Sequence, residues 1–121
     1  TAPINMMYAL YQGLLNLTEE GIENSWNRHI ETHKYLASEL HDLGLEFLVD
    51  KDSRLPSLNA MIIPEGVDDL SVRASLLKNY NIEIGGGLGP FAGKVWRIGL
   101  MGYSAHKKHV DTLISALKNI L

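Results

Sequence analysis

Cysteine is absent from the sequence. Disulfide bonds, zinc sites built on thiolates and cysteine nucleophiles are therefore excluded. The absence is compatible with a reducing compartment, and we expect an intracellular protein. Residues 118–121 read Lys-Asn-Ile-Leu, which is not a peroxisomal signal of the Ser-Lys-Leu type. Cytosol, peroxisome and mitochondrion all stay open as locations.

A surplus of positive charge is also lacking, because 11 Lys and Arg residues stand against 14 Asp and Glu residues, for a formal net charge of −3 at pH 7. Binding to nucleic-acid phosphates needs a basic face. No apolar run is long enough to span a bilayer, and the first residues lack the basic region of a secretory signal. We therefore expect neither nucleic acid nor a membrane among the partners.

The length of 121 residues, of which 45% are hydrophobic, suits one domain with its own core. We predict a single domain over residues 1–121. The chain opens with Thr1-Ala2-Pro3 and no methionine, which we interpret as the start of a domain excised from a longer protein.

Hydrophobic spacing and capping residues predict four helices and four short strands in the order α-α-β-β-α-β-β-α. The helices are predicted to begin near Pro3, near Thr18, near Asp68 or Asp69, and near Ser104. The strands are predicted at 45–49, 58–63, 81–84 and 95–100. Both tryptophans, Trp26 and Trp96, are expected in the core. This order favours an α+β fold, a two-layer sandwich with a small, mostly antiparallel sheet and helices on one face.

The first predicted helix, within residues 1–17, is apolar on nearly every side. Its apolar residues are Ile4, Met6, Met7, Tyr8, Ala9, Leu10, Tyr11, Leu14 and Leu15. A helix that is apolar all round is buried all round, which is hard to arrange in a chain of this size. One alternative is a central helix wrapped by the rest of the chain. We favour a helix that docks on a larger domain or a partner subunit outside this sequence.

Glycine is concentrated in the stretch GGGLGPFAGKVWRIGLMG, residues 85–102. A G-x-G-x-x-G dinucleotide fingerprint is excluded, because Pro90 takes the place of the last glycine. A P-loop is excluded too, because Leu88 and Val95 stand where that motif needs glycine and Ser or Thr. Two roles stay open: a hairpin connection that needs positive φ angles, or a loop whose backbone approaches a ligand beside Arg97.

Arg97 lies in the middle of the last predicted strand, where an unpaired buried guanidinium would be costly. If residues 82–84 and 96–98 form a hairpin, Glu83 faces Arg97 across the ladder. A guanidinium also binds a substrate carboxylate through two parallel hydrogen bonds. Spacing alone favours the cross-strand pair over the substrate.

His29 and His33 place two imidazoles on one helix face, as metal ligands could be placed. The zincin motif needs Glu directly after the first His, where this sequence has Ile30. We therefore interpret both histidines as helix-surface residues and expect no metal site. No G-x-S-x-G nucleophile elbow is present. The chain offers no complete catalytic constellation, and no catalytic residue is assigned within it.

Three segments together resemble a known family. They are Thr1-Ala2-Pro3, the run GIENSW at 21–26, and above all NIEIGGGLGP at 81–90 followed by GKVWRIGLMG at 93–102. These segments are similar to the C-terminal domain of the alanine–glyoxylate (serine–pyruvate) aminotransferases, which are class V, fold-type I enzymes dependent on pyridoxal phosphate. The resemblance extends over essentially the whole chain.

The resemblance implies roles for two residues. Arg97 matches the arginine that binds the α-carboxylate of the substrate, a role that displaces the pairing with Glu83. Thr1 matches the threonine of the Thr-Ala-Pro motif, which reaches the phosphate of pyridoxal 5′-phosphate in the neighbouring subunit of a homodimer. The lysine that carries the cofactor belongs to a large domain, as does most of the cofactor site. None of the seven lysines in this chain lies in a matching motif.

The activity implied for the complete enzyme is transfer of an amino group from alanine or serine to glyoxylate or pyruvate. Amino acids and 2-oxo acids are then the substrates, the large domain of the same chain is a partner, and this domain alone is expected to be inactive. Serine–glyoxylate and 3-hydroxykynurenine transaminases also resemble this region and are alternatives. A reading from another class is a free-standing α+β module that binds a small anion at Arg97.

Overall fold

The computed structural model describes all residues, 1–121. Its helices and strands are α1 (Ile4–Glu20), α2 (Ile22–Asp42), β1 (Leu58–Ile62), α3 (Asp69–Tyr80), β2 (Gly85–Gly86), β3 (Val95–Gly99) and α4 (Lys107–Ile120). Single 3₁₀ turns lie at Lys51–Ser53, Gly89–Phe91 and Gly102–Ser104. All four helices were predicted by the sequence, but α4 begins at Lys107, and Ser104, its predicted start, lies in the preceding 3₁₀ turn.

The three strands form one antiparallel sheet in the order β1-β3-β2, with β3 in the centre. Side chains alternate between the two faces of a strand. On β3, Trp96 and Ile98 lie in the core that α2, α3 and α4 build over one face of the sheet. Arg97, between them, lies on the opposite face. With its helices packed on one face of a small antiparallel sheet, the predicted α+β class is confirmed.

The boundary between the first two helices differs from the prediction. Thr18 does not cap α2, because its hydroxyl donates to the carbonyl of Leu14 inside α1. The break falls at Gly21, whose φ of 85° lies in the left-handed region that glycine adopts at little cost.

The predicted strand at 45–49 is wrong. Phe47 forms only an isolated bridge to Met61. The segment touches the edge of β1 and then enters the 3₁₀ turn at Lys51–Ser53, so no ladder develops. The sheet consequently has three strands instead of four.

The predicted strand at 81–84 is also wrong. Asn81 takes a left-handed φ of 54° as the C-cap of α3, and the Ile82 N–H donates to the carbonyl of Leu76. These residues therefore close the helix instead of pairing in the sheet, and pairing begins only at Gly85.

Buried apolar side chains from α2, α3, α4 and the sheet form the core. Its fully buried members include Leu36, Leu40, Met61, Leu76, Trp96 and Leu117. Trp96 lies there as predicted, whereas Trp26 is 59% exposed and its prediction was wrong. Trp26 belongs to a stripe with Ile22 and Ile30, spaced four residues apart, that faces away from the core.

Helix α1 contributes no buried residue. Leu17 is partly buried and the other large apolar side chains of the helix are between 37% and 72% exposed, so the alternative of a central helix wrapped by this chain is wrong. The helix packs mainly against α2 and leaves an apolar surface open. No helix combines the length and hydropathy that crossing a membrane requires.

Candidate functional site

Arg97 lies partly buried on the face of β3 that points away from the helices. No Asp or Glu oxygen lies within 4.0 Å of its guanidinium. Its Nε donates a 2.7 Å hydrogen bond to the carbonyl of Gly86 on the neighbouring strand. The terminal nitrogens of the guanidinium make no hydrogen bond within the chain, so they are free to bind an anion.

The cross-strand pair with Glu83 does not form. The register places Gly85 opposite Arg97, and Glu83 lies exposed before the strand begins. The hairpin alternative assumed that 82–84 pairs with 96–98. Ile82 instead closes the C-terminal end of α3, through its hydrogen bond to Leu76. The only guanidinium on β3 is thus left without an internal counter-ion.

The glycines next to Arg97 allow other groups of the chain to lie close to the backbone. A Cβ at Gly85 would lie 3.3 Å from Nε and from one terminal nitrogen of Arg97, which is tighter than ordinary van der Waals contact. A Cβ at Gly87 would overlap the carbonyl oxygen of Phe91. Positive φ angles occur later in the loop, at Gly89 and Gly93. The connection that needs positive φ angles is therefore confirmed for the second half of the stretch, while approach of the loop backbone to a ligand stays a prediction.

A cavity of about 170 Å³ borders Arg97. Its lining residues are Phe47, Val49, Ser53, Arg54, Leu55, Leu58, Asn59, Ala60 and Arg97, with no acidic side chain among them. Arg54 lies 3.9 Å above the ring of Phe47 and donates to the carbonyl of Val49 at 2.9 Å. Two guanidinium groups in a cavity without a carboxylate favour a bound carboxylate or similar anion.

Arg54 was missed by the sequence analysis. It lies in the loop between the 3₁₀ turn at Lys51–Ser53 and β1, where no helical or strand periodicity fixes a direction for its side chain. The cation–π contact with Phe47 and the hydrogen bond to Val49, both of which the fold creates, place it beside the cavity.

A second polar group lies on the helix side of the sheet. Asp69 accepts hydrogen bonds from Arg73 at 2.7 and 3.1 Å and from the indole N–H of Trp96 at 3.0 Å. These bonds, with that from Arg73 dominant, hold the pKa of Asp69 below its ordinary value of 3.8 although partial burial opposes the shift. The same pairing raises the pKa of Arg73. Both groups are charged at neutral pH.

Thr1 is exposed, and its hydroxyl makes no hydrogen bond within the chain. It does not line the cavity beside Arg97. All seven lysines are exposed, and none lines that cavity either. The cavity therefore contains two guanidinium groups, which could bind an anion, but no lysine amine.

The two helix histidines are engaged within the fold. His29 Nδ1 donates to the carbonyl of Ser25 at 2.6 Å, and its Nε2 accepts from the N–H of Gly102 at 3.1 Å. His33 Nδ1 bonds the side-chain oxygen of Asn59 at 2.7 Å. Both rings are partly buried, so their interpretation as plain helix-surface residues was wrong. No group of three or more His, Cys, Asp or Glu side chains is placed to hold a metal ion.

No protein-family model matches the chain. The alanine–glyoxylate aminotransferase of Callithrix jacchus is 43% identical over 122 residues, which cover 100% of this chain and 30% of that enzyme. The (S)-ureidoglycine–glyoxylate transaminase of Bacillus subtilis (strain 168) is 39% identical, covering 100% of this chain and 29% of that enzyme. A crystal structure of the alanine–glyoxylate aminotransferase from Nostoc sp. superimposes with a TM-score of 0.95 at 50% identity, covering 99% of this chain and 32% of that chain.

The chain thus spans about 30% of the length of the curated relatives it matches. Within that part the similarity runs from end to end, and the arrangement of helices and strands is shared with a solved aminotransferase. The chain belongs to the class V aminotransferase family, as its small C-terminal domain.

Proposed function

We propose that this domain holds the α-carboxylate of the substrate in a pyridoxal-phosphate-dependent aminotransferase. The observation that carries the proposal is the guanidinium of Arg97. It has no acidic partner within the chain, is anchored through Nε alone, and borders a cavity without acidic residues. Such a group binds a carboxylate through two parallel N–H···O bonds.

Arg97 contributes orientation as well as affinity. Because Nε is fixed to the carbonyl of Gly86, the plane of the guanidinium is set before a substrate arrives. A carboxylate that pairs with this plane has its Cα held in one direction, which is how positioning accelerates a reaction at a neighbouring atom. Arg54, across the same cavity, adds a positive field that favours anionic substrates.

The cofactor implied by the family is pyridoxal 5′-phosphate, which when bound supplies the electron sink for reactions at the substrate Cα. Of the residues here, Thr1 is the one proposed to reach it, through an exposed hydroxyl with no internal partner that is free to bind a phosphate oxygen of a neighbouring subunit. With every lysine exposed and away from the Arg97 cavity, we propose that the lysine moving the Cα proton, and most of the cofactor site, lie in the large domain.

The substrates we propose are alanine or serine as amino donor and glyoxylate or pyruvate as acceptor. Support comes from the three similar proteins described above, all of which are named as glyoxylate aminotransferases or transaminases. Serine–glyoxylate and 3-hydroxykynurenine transamination are the alternatives within the same fold. All of them share the α-carboxylate that Arg97 is proposed to bind.

Helix α1 is proposed to dock on the large domain of the same chain. The relatives that match carry more than twice this length of chain beyond the aligned part, and α1 exposes an apolar face at Ile4, Met7, Tyr8 and Tyr11 around a shallow cavity of about 460 Å³. An apolar face this size in a soluble monomer marks an interface. The exposed helix also argues against a free-standing module, and we propose a homodimer for the complete enzyme.

The test of the proposed function is Arg97→Ala in the complete enzyme. Loss of a charged contact costs about 2–3 kcal/mol, so kcat/KM for alanine and serine is expected to fall by about 30- to 150-fold. Arg97→Lys keeps the charge without the planar fork, so its kcat/KM should lie between those of the parent enzyme and Arg97→Ala. Lys118→Ala, an exposed residue of α4 without an ion pair, is the matched control. Unchanged kinetics for Arg97→Ala would show that the assignment is wrong.

A further inference from the structure

Strand β2 lies between two guanidinium groups. It consists of Gly85 and Gly86 alone, and it forms the outer edge of the sheet, paired only with β3. On the open face, the guanidinium of Arg97 lies over Gly85. On the helix face, the guanidinium of Arg73 lies against Gly86, where an added Cβ would be 3.4 Å from its Cζ, Nε and one terminal nitrogen.

Arg73 is itself held firmly. It forms two hydrogen bonds to Asp69 one helical turn earlier, at 2.7 and 3.1 Å. The same carboxylate accepts the 3.0 Å bond from Trp96, a fully buried residue that pairs with Gly86 in the ladder. The Asp69 side chain is only 12% exposed and that of Arg73 29%. This anchor ties α3 to both strands at the level of Gly86.

The carbonyl of Gly86 is the only acceptor within the chain for the Arg97 side chain. A two-residue edge strand without side chains has little of its own to fix the direction of that carbonyl. The guanidinium of Arg73 packs beside the Cα of Gly86 from the opposite face and so restrains the strand that carries this carbonyl. The direction of the Arg97 guanidinium is thereby linked to a residue on the other side of the sheet.

We propose that Arg73, held by Asp69, is a positioning residue for Arg97 and so for the substrate carboxylate. The inference rests on the proposed function of Arg97.

The experiment uses the complete enzyme and compares Arg73→Met with Lys78→Met. Lys78 lies on the same helix, is exposed and forms no ion pair, so its variant controls for loss of a cation from α3. Arg73→Met keeps most of the side-chain length and removes the planar group. We expect the KM for the amino donor to rise about tenfold, since small displacements of a positioned group cost one to two orders of magnitude, while kcat changes less. Lys78→Met should keep the parent KM.

A purely structural role for Arg73 would give a different result. It would lower Tm and the fraction of active enzyme, and it would leave the KM of the active fraction unchanged. If Arg73→Met has the KM of the parent enzyme while Arg97→Ala has a raised KM, the inference is overturned and the proposed function stays intact. If Arg97→Ala also keeps the parent KM, both fail. Should Arg73→Met not fold, Asp69→Asn, which keeps an acceptor for Trp96, gives the same comparison.

Discussion

At the scale of single residues, the decisive feature is how little Arg97 is used by the protein itself. A guanidinium has five N–H donors, and one of them, on Nε, bonds the chain. The neighbouring Asp69–Arg73 pair shows the contrast, because that guanidinium is paired with its carboxylate at both ends of the fork. One arginine stabilises the fold, and the other is available to a ligand.

Gly85→Ala tests the packing that holds Arg97. The new methyl group would lie 3.3 Å from two guanidinium nitrogens, so the side chain must shift by a few tenths of an ångström. We expect the KM of the complete enzyme for its amino donor to rise several-fold, to about tenfold, by the cost of misplacing a positioned group. Gly99→Ala on β3 is the control, since its Cβ would meet only Met101 at an ordinary 3.6 Å. Equal KM values for the two variants would contradict this role of Gly85.

The lowered pKa of Asp69 makes a prediction about acid stability. A carboxyl whose pKa is depressed by folding adds stability above its ordinary pKa of 3.8, and that stability is lost as the pH falls through the lower folded value. We expect Asp69→Asn to reduce the free energy of unfolding by about 1–3 kcal/mol at pH 7, the worth of hydrogen bonds to a charged group. In urea titrations of the chain from pH 7 to pH 2, the difference from the parent should shrink below the ordinary pKa. A difference that is constant with pH would exclude this linkage.

At the scale of whole elements, α1 and β2 bury little of their own, and each depends on contacts with other elements for its position. Strand β2 has two glycines and is supported from both faces by arginines. Helix α1 has no buried residue and is joined to the core mainly through α2. The ion pair of Glu20 with Arg28, which also donates to the carbonyls of Gly102 and Ala105, fixes the end of α1 to the rest of the chain.

Deletion of residues 1–16 tests the position of α1. The deletion keeps Glu20 and its ion pair, and it removes no core residue, so we expect the free energy of unfolding of the isolated chain to change by less than about 1 kcal/mol, the range of surface changes. Binding of a hydrophobic dye to the isolated chain should drop strongly at the same time. A deletion that unfolds the chain would show that α1 belongs to the core, and unchanged dye binding would place the exposed apolar surface elsewhere.

At the scale of the whole molecule, the sequence predicted the parts that local rules determine. Helices α2, α3 and α4 and strand β3 follow from hydrophobic spacing, and the buried Trp96 follows with them. The strand predicted at 81–84 failed because apolar alternation does not reveal that Asn81 ends α3 in a left-handed conformation. The prediction that Trp26 is buried failed because periodicity identifies an apolar stripe without showing which surface the stripe packs against.

The candidate site could be predicted only in part. Arg97 was singled out from the sequence, but spacing alone favoured the wrong partner, Glu83, and the resemblance to a family was needed to reverse that preference. The pairing of Asp69 with Arg73 is visible as an i, i+4 spacing on a helix. Its contact with Gly86 is not visible, because it joins residues that only the fold brings together.

The separation of α1 from the core bears on the order in which a longer chain of this family acquires its structure. Residues that close the core extend from α2 to α4, so they can condense as one cooperative unit once α4 has been synthesised. Helix α1 is made earlier and contributes no buried residue to that unit. We therefore expect the core to fold without waiting for α1 to reach its own partner, so that a change confined to α1 need not delay the folding of the core.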